Sequence, residues 1–228
     1  MIADRMRLID ASGIRKVFDL AATLENPINL SIGQPDFDVP TAVKDAAISA
    51  IDGGFNRYTP TQGIAELRDG VMAMLRRSGR VRMDGELDIM ISSGTSGGLL
   101  LAIHALINPG DEVVFADPFF VMYKHLVRLI GGVPVCIDTY PDFELTAERL
   151  ERVLTPRTKM VIVNSPNNPS GAVYSPATLH ELAALCNVRG LWVLADDIYS
   201  AFCYDSAFHS IFPLLERGIL LDGFSKSH

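Results

Sequence analysis

From about Asp88 onward the chain alternates short, near-continuously apolar runs with longer amphipathic ones, and few folds accept that alternation. Strands apolar on both faces must be covered on both faces, which is the situation of parallel strands joined by crossover helices. The predicted class is therefore α/β with a mainly parallel sheet between two helical layers. The strand candidates are Asp88–Ser92, Glu112–Ala116, Val133–Ile137, Met160–Asn164, Trp192–Ala195 and Ile219–Asp222. A helix is predicted over Gly63–Arg77, where Ile64, Leu67, Val71 and Leu75 recur at helical spacing and Gly79 follows as a stop. Thr41 after Pro40 caps a second helix running to Ile51, and Ser175-Pro176 opens a third through Cys186. The run Gly97–Ile107 is apolar nearly all round and reads as a buried helix behind the first strand.

The first forty-odd residues break this rhythm. Asn26-Pro27 and Gly33-Gln34-Pro35-Asp36 read as turns and extended chain, so this stretch is expected to be an arm or part of another domain. At roughly 150 residues per domain the remainder makes one large domain. With 48% hydrophobic residues the chain can build an ordinary core. Twenty basic against twenty-seven acidic residues leave a net charge of −7, which offers no footprint for nucleic acid or an anionic membrane and favours small molecules and proteins as partners. Residues Met1–Leu8 mix charges of both signs and no stretch reaches the ~18 apolar residues of a membrane span, so a cytoplasmic location is expected. Cys136, Cys186 and Cys203 show no metal spacing and are expected to be buried, reduced thiols. The five histidines, His104, His125, His180, His209 and His228, are not paired either, and no metal site is predicted. Gly-x-Gly-x-x-Gly is missing, which argues against a dinucleotide oxidoreductase.

Open α/β sheets bind ligands at the carboxyl ends of their strands, and four such ends are chemically unusual here. Ser92-Ser93-Gly94-Thr95-Ser96-Gly97-Gly98 runs a strand into a helix through glycines and hydroxyls, which suits an anion nest as well as a tight packing turn. Asn164-Ser165-Pro166-Asn167-Asn168-Pro169-Ser170-Gly171 presents amides on a stiffened chain. Ala195-Asp196-Asp197-Ile198-Tyr199 brings a carboxylate and a phenol to the end of an apolar strand, where a buried charge needs a partner. Leu220-Leu221-Asp222-Gly223-Phe224-Ser225-Lys226 ends in an amine. Anion nest, amide, carboxylate with phenol, and amine together suit an anionic heteroaromatic aldehyde.

The ordered set of Ile32-Gly33-Gln34-Pro35-Asp36-Phe37, Tyr58 with Gly63 and Leu67-Arg68, Ser93-Gly94-Thr95, Asn108-Pro109-Gly110-Asp111-Glu112-Val113, Asn168-Pro169-Ser170-Gly171, Asp196-Asp197-Ile198-Tyr199 and Phe224-Ser225-Lys226 resembles the fold-type I, class I/II pyridoxal-phosphate aminotransferases, nearest the aspartate aminotransferase-like branch. The resemblance implies a three-layer large domain over residues 46–228 and, over 1–45, an arm with part of a small domain. It implies pyridoxal 5'-phosphate as cofactor, an amino acid and a 2-oxo acid as substrates, and a homodimer. Lys226 matches the Schiff-base lysine, which must give up its proton to act as nucleophile and base. Asp196 matches the partner of the pyridinium nitrogen. Tyr199 and Asn168 match the donors to the ring's phenolic oxygen.

The same resemblance assigns Ser93, Gly94 and Thr95 to the phosphate nest and Tyr58 to the phosphate of a neighbouring subunit. Phe120 falls where an aromatic stacks on the ring, and by pattern alone it fits helix core equally well. Gly33 and Asn168 are placed near the substrate, and Ser225 is expected to take over a phosphate contact because Gly223 stands where some relatives carry serine. The sequence ends at His228, whereas the family continues through a phosphate-binding arginine and a C-terminal domain. An amino-terminal portion of an aminotransferase, with little activity by itself, is therefore expected, its sheet gapped where the strand after the lysine would lie. A β-lyase, a decarboxylase-like activity, a cyclopropane-carboxylate synthase-like elimination, and a non-catalytic aminotransferase-like domain remain open, since the cofactor carries the chemistry and the protein selects the bond.

Overall fold

The computed structural model describes residues 2–9, 20, 23–25, 28, 33, 35, 37–83 and 87–227. Asn26, Pro27, Ile32, Gln34, Asp36 and His228 of the motifs above lie outside the described residues. Five strands, β1 (Glu112–Asp117), β2 (Val133–Asp138), β3 (Thr158–Asn164), β4 (Trp192–Asp196) and β5 (Gly218–Leu221), form one sheet in the order β2-β1-β3-β4-β5. Every pairing is parallel. The helices are α1 (Thr41–Asp52), α2 (Ala65–Arg77), α3 (Gly94–Leu106), α4 (Met122–Leu129), α5 (Ala147–Glu151) and α6 (Pro176–Arg189). None of the described helices is long and apolar enough to cross a membrane.

Apolar runs become two-sided strands because successive side chains point to opposite faces. Val113, Phe115, Met160, Ile162, Leu194 and Leu221 form one core with Leu99, Ala102 and Ile103 of α3 and Tyr123, Leu126 and Val127 of α4. Val114, Val161, Val163 and Val193 turn the other way, against Leu179, Leu182, Ala183 and Cys186 of α6. The result is the expected α/β/α layering, with helices covering both faces.

The expected first strand, Asp88–Ser92, is not a strand. Its Ile91 amide donates to the Gln62 carbonyl at 3.0 Å and Asp88 pairs with Arg68, so it is tied to the approach to α2. Without a neighbouring ladder an extended segment cannot satisfy its backbone as a strand does. The helix expected at Gly97–Ile107 starts three residues earlier, at Gly94, and is not buried all round: Leu100 and Leu101 are 39% and 45% exposed.

Thr41 is the first helical residue of α1 and not its cap, which is Pro40. That helix runs through the 45/46 division expected between arm and large domain, and none of its residues is buried. On α2 only Leu75 is buried, while Ile64 just ahead of the helix and Leu67 on its first turns stay exposed. Of the three cysteines expected inside, only Cys186 is buried; Cys136 is exposed on the edge strand β2 and Cys203 is half-buried. The reading of α6 holds at its start, where Pro176 follows the Ser175 cap and Ser175 Oγ accepts the Thr178 amide at 3.1 Å, and the helix runs on to Arg189 before Gly190 turns left-handed.

Burial predicts an asymmetry between two leucines. Leu182, fully buried beneath the sheet, should lose about 2–5 kcal/mol on Leu182→Ala, whereas Leu101→Ala should stay within about 0.5 kcal/mol of wild type, as urea denaturation would measure.

Candidate functional site

A parallel sheet delivers all its carboxyl ends to one edge, spaced by about 4.8 Å per strand. The turns after β1, β3, β4 and β5 thus bring Phe120, Asn168, Asp196 with Tyr199, and Lys226 to the same rim. In register, Asn164 stands opposite Asp196, and Asp196 opposite Leu221.

Asp196 is buried at the last position of β4. Its Oδ2 accepts the Tyr123 hydroxyl at 2.5 Å and its Oδ1 accepts the Ile198 amide at 3.4 Å. Burial raises the Asp196 carboxyl above its ordinary range, the two donors pull it back, and the charge of Asp222 raises it again. None of these influences is cationic. Tyr123 is almost fully buried on α4; burial and the adjacent carboxylate push its phenol well above the usual value, so it stays protonated and donates.

Asn164 links the third and fourth strand ends. Its Nδ2 donates to the Asp196 carbonyl at 2.9 Å, and its Oδ1 accepts the Asn168 amide at 2.8 Å. Asn168 Nδ2 then donates to the Tyr199 hydroxyl oxygen at 3.4 Å, which leaves the Tyr199 proton available to an acceptor in the site. The Tyr199 phenol is raised mainly by burial and then by the Asp196 charge, so it too stays protonated.

Lys226, half-buried, donates from Nζ to the Gly33 carbonyl at 3.1 Å, which sets Gly33 beside the expected reactive amine. A Cβ at Gly223 would sit 3.4 Å from Ile198 Cδ1 and 3.7 Å from Thr95 Cγ2. The lysine turn, the β4 turn and the start of α3 are therefore neighbours. Gly94 opens α3 at φ 67° with clear space where a side chain would project, and the Ser93 side chain makes no capping bond. Amides in a first helical turn lack intrahelical acceptors, so this end can receive an anion.

The remaining predicted residues are less engaged. Phe120 packs edge-on against Tyr123, ring centres 5.7 Å apart, which sets it beside the Asp196 end of the site. Ser225 is exposed, and the Tyr58 side chain, between α1 and α2, is fully exposed among the described residues. Among the described residues no group of three or more potential ligands could hold a metal.

Two participants were not singled out from sequence. Asn164 lies inside a quoted motif but reads there as the end of a strand. Tyr123, three residues after Phe120, carries no signal of its own in the sequence, and its link to Asp196 spans 73 residues that only the packing of α4 on the sheet brings together.

The donor set fits pyridoxal phosphate. A buried carboxylate held by neutral donors matches a group that brings its own positive ring nitrogen, the uncapped glycine-opened helix suits a phosphate, and two proton donors and an amine stand on the same rim. A family model described as aminotransferase class I and II matches residues 25–228. Aromatic-amino-acid aminotransferase 2 of Thermococcus litoralis is 38% identical over 99% of this chain and 60% of its own length. Aspartate aminotransferase of Pyrococcus abyssi is 37% identical over 99% of this chain and 60% of its own. The solved aspartate aminotransferase from Thermus thermophilus with maleate superposes with a TM-score of 0.92 at 33% identity, covering 99% of this chain and 61% of that one. The chain belongs to the class I and II aminotransferases, and it spans about 60% of the length of the curated relatives it matches.

The neighbouring carboxylate, Asp197, yields a prediction. It is buried, one oxygen has no hydrogen-bond partner among the described residues, and burial raises it to about 7 from 3.8 despite a hydrogen bond from Ser210. The folded state then keeps a proton that the unfolded chain releases, so this group's contribution falls as pH rises from about 4 to 7 and is lowest above that. Melting temperatures measured across that range should show the decline in wild type and a flatter profile in Asp197→Asn.

Proposed function

We propose that this chain is the amino-terminal portion of a pyridoxal-phosphate-dependent aminotransferase that transfers an amino group between an L-amino acid and a 2-oxo acid. The reading is carried by one observation: buried Asp196, lacking a cationic influence, stands at a strand end with the Tyr199–Asn168 pair and the Lys226 turn on the same rim. When bound, the cofactor would supply an electron sink that stabilises negative charge at the substrate α-carbon.

Lys226 is the amine that would hold the cofactor covalently and afterwards carry a proton to and from the α-carbon. Asp196, oriented by Tyr123, would keep the ring nitrogen protonated. Tyr199 and Asn168 would donate to the phenolic oxygen, with Asn164 fixing where both sit. Ser93, Gly94 and Thr95 would bind the phosphate, joined by Ser225, while Phe120 would cover the ring face and exclude water. Gly33, whose carbonyl Lys226 already reaches, would border the substrate.

The parent protein is proposed to be a cytoplasmic homodimer, with Tyr58 serving the neighbouring subunit's phosphate. Its full exposure, and an α1 without a single buried residue, support a face that the longer, assembled protein covers. Residues 1–45 are proposed as the arm with part of the small domain and 46–228 as the cofactor-binding domain, the isolated chain having little or no transaminase activity.

The test is spectroscopic. The purified chain mixed with pyridoxal phosphate should give a borohydride-reducible absorbance band that disappears in Lys226→Ala and weakens in Asp196→Ala, with no turnover of amino acids. Folded protein that never gives the band would overturn the cofactor assignment, and turnover lost on Lys226→Ala would overturn the proposed inactivity. Product analysis with the complete parent separates transamination from lyase chemistry.

A further inference from the structure

The turn that ends α2 sends one cation toward the site from outside the sheet. With Gly79 at φ 67°, its amide bonds the Arg76 carbonyl at 3.1 Å and the Arg80 amide bonds the Leu75 carbonyl at 3.0 Å. This pattern closes the helix and reverses the chain. Arg80 is thereby carried inward and is only 8% exposed.

Its Nε donates to Ser78 Oγ at 3.2 Å, and its Nη1 meets two further partners on different loops. It pairs with Asp222 at 2.6 Å and donates to Ser200 Oγ at 3.1 Å. Asp222 immediately precedes the Gly223-Phe224-Ser225-Lys226 turn, and its Oδ1 accepts the Gly223 amide at 2.8 Å. Ser200 directly follows Tyr199. A single planar fork thus touches the loop bearing the expected reactive amine and the loop bearing the expected phenol.

We propose that Arg80 is a positioning residue: by pairing with Asp222 and bonding Ser200, it fixes the Lys226 and Tyr199 loops relative to each other and offsets the charge of the two carboxylates Asp197 and Asp222. The inference rests on the aminotransferase reading for its purpose, though not for its geometry. Arginine suits the role because its donors lie in one plane and point in several fixed directions, whereas lysine offers a point charge. The pair is largely desolvated, so removing either partner strands a charge beside the site. Asp197 registers the balance directly, since Arg80 favours its ionised form while Asp222 and Asp196 oppose it.

The test uses the 228-residue chain without added cofactor, comparing wild type, Arg80→Met, Arg80→Lys and Asp222→Asn. Hydrogen exchange of the amides in 197–202 and 222–227 should accelerate about tenfold in both segments with Arg80→Met, while β1 and α6 keep their protection. Carbon-13 titration of the Asp197 carboxyl should move upward in Arg80→Met and downward in Asp222→Asn. Opposite signs are the mark of charge, which a purely structural anchor would not produce. Arg80→Lys, which retains the charge, should leave Asp197 near wild type yet loosen the Ser200 segment, and it decides the case if Arg80→Met does not fold. Loosening of only one loop in Arg80→Met, an unloosened Ser200 segment in Arg80→Lys, or Asp197 titrations of Arg80→Met and Asp222→Asn that move together or not at all, would overturn the proposal. The borohydride-reducible band is scored separately: its failure in wild type counts against the aminotransferase reading, while the exchange and titration results still decide whether Arg80 couples the loops.

Discussion

Everything at the rim of the sheet is arranged around one buried carboxylate. Asp196 ends β4 at a point where β3 and β5 flank it, so the strand that places it also denies it water. A carboxylate in that position is costly unless donors converge on it. Tyr123 and the Ile198 amide supply two, and the Asn164 side chain fastens the Asp196 carbonyl. Those donors are neutral, so the site retains an electrostatic preference for a partner bringing positive charge.

The acidic character continues outward from that centre. Asp197 follows in sequence but leaves the strand toward Ser210, and Asp222 stands at the head of the lysine turn. Three carboxylates so close would each favour protonation of the others, and the buried pairing of Asp222 with Arg80 relieves part of this. The helix start at Gly94 lies on the same side, next to Gly223 through Thr95. Acidic centre, proton donors and anion-receiving helix end thus occupy one short stretch of rim, which is a physical description of a site for a zwitterionic aromatic ligand.

Much of the fold could be read from the chain. Runs such as Glu112–Ala116 and Met160–Asn164 are apolar at both odd and even positions, and only a strand covered on two faces uses that pattern. Asp88–Ser92 has a similar run and did not become a strand, because β pairing depends on a neighbour and apolar content describes only the segment itself. The exposed Ile64 and Leu67 teach the same lesson for helices: periodicity marks a face meant to be covered and does not say what covers it. Asn164 and Tyr123 escaped notice as site residues since their function is to hold other groups, through bonds that exist only after the sheet and α4 have packed.

Composition and order alone determined the α/β class, five of the strands, the family resemblance, and which residue types stand at the strand ends. Tertiary structure decided that those ends share one rim, that Asp196 is held by Tyr123, that Lys226 reaches Gly33, and that Arg80 joins Ser200 and Asp222, on loops 22 positions apart in the chain. The physical reason lies in range. Apolar patterning and turn chemistry act over a few residues and are written in the local sequence, whereas desolvation, ion pairing and hydrogen-bond geometry depend on which distant segments the parallel sheet sets side by side.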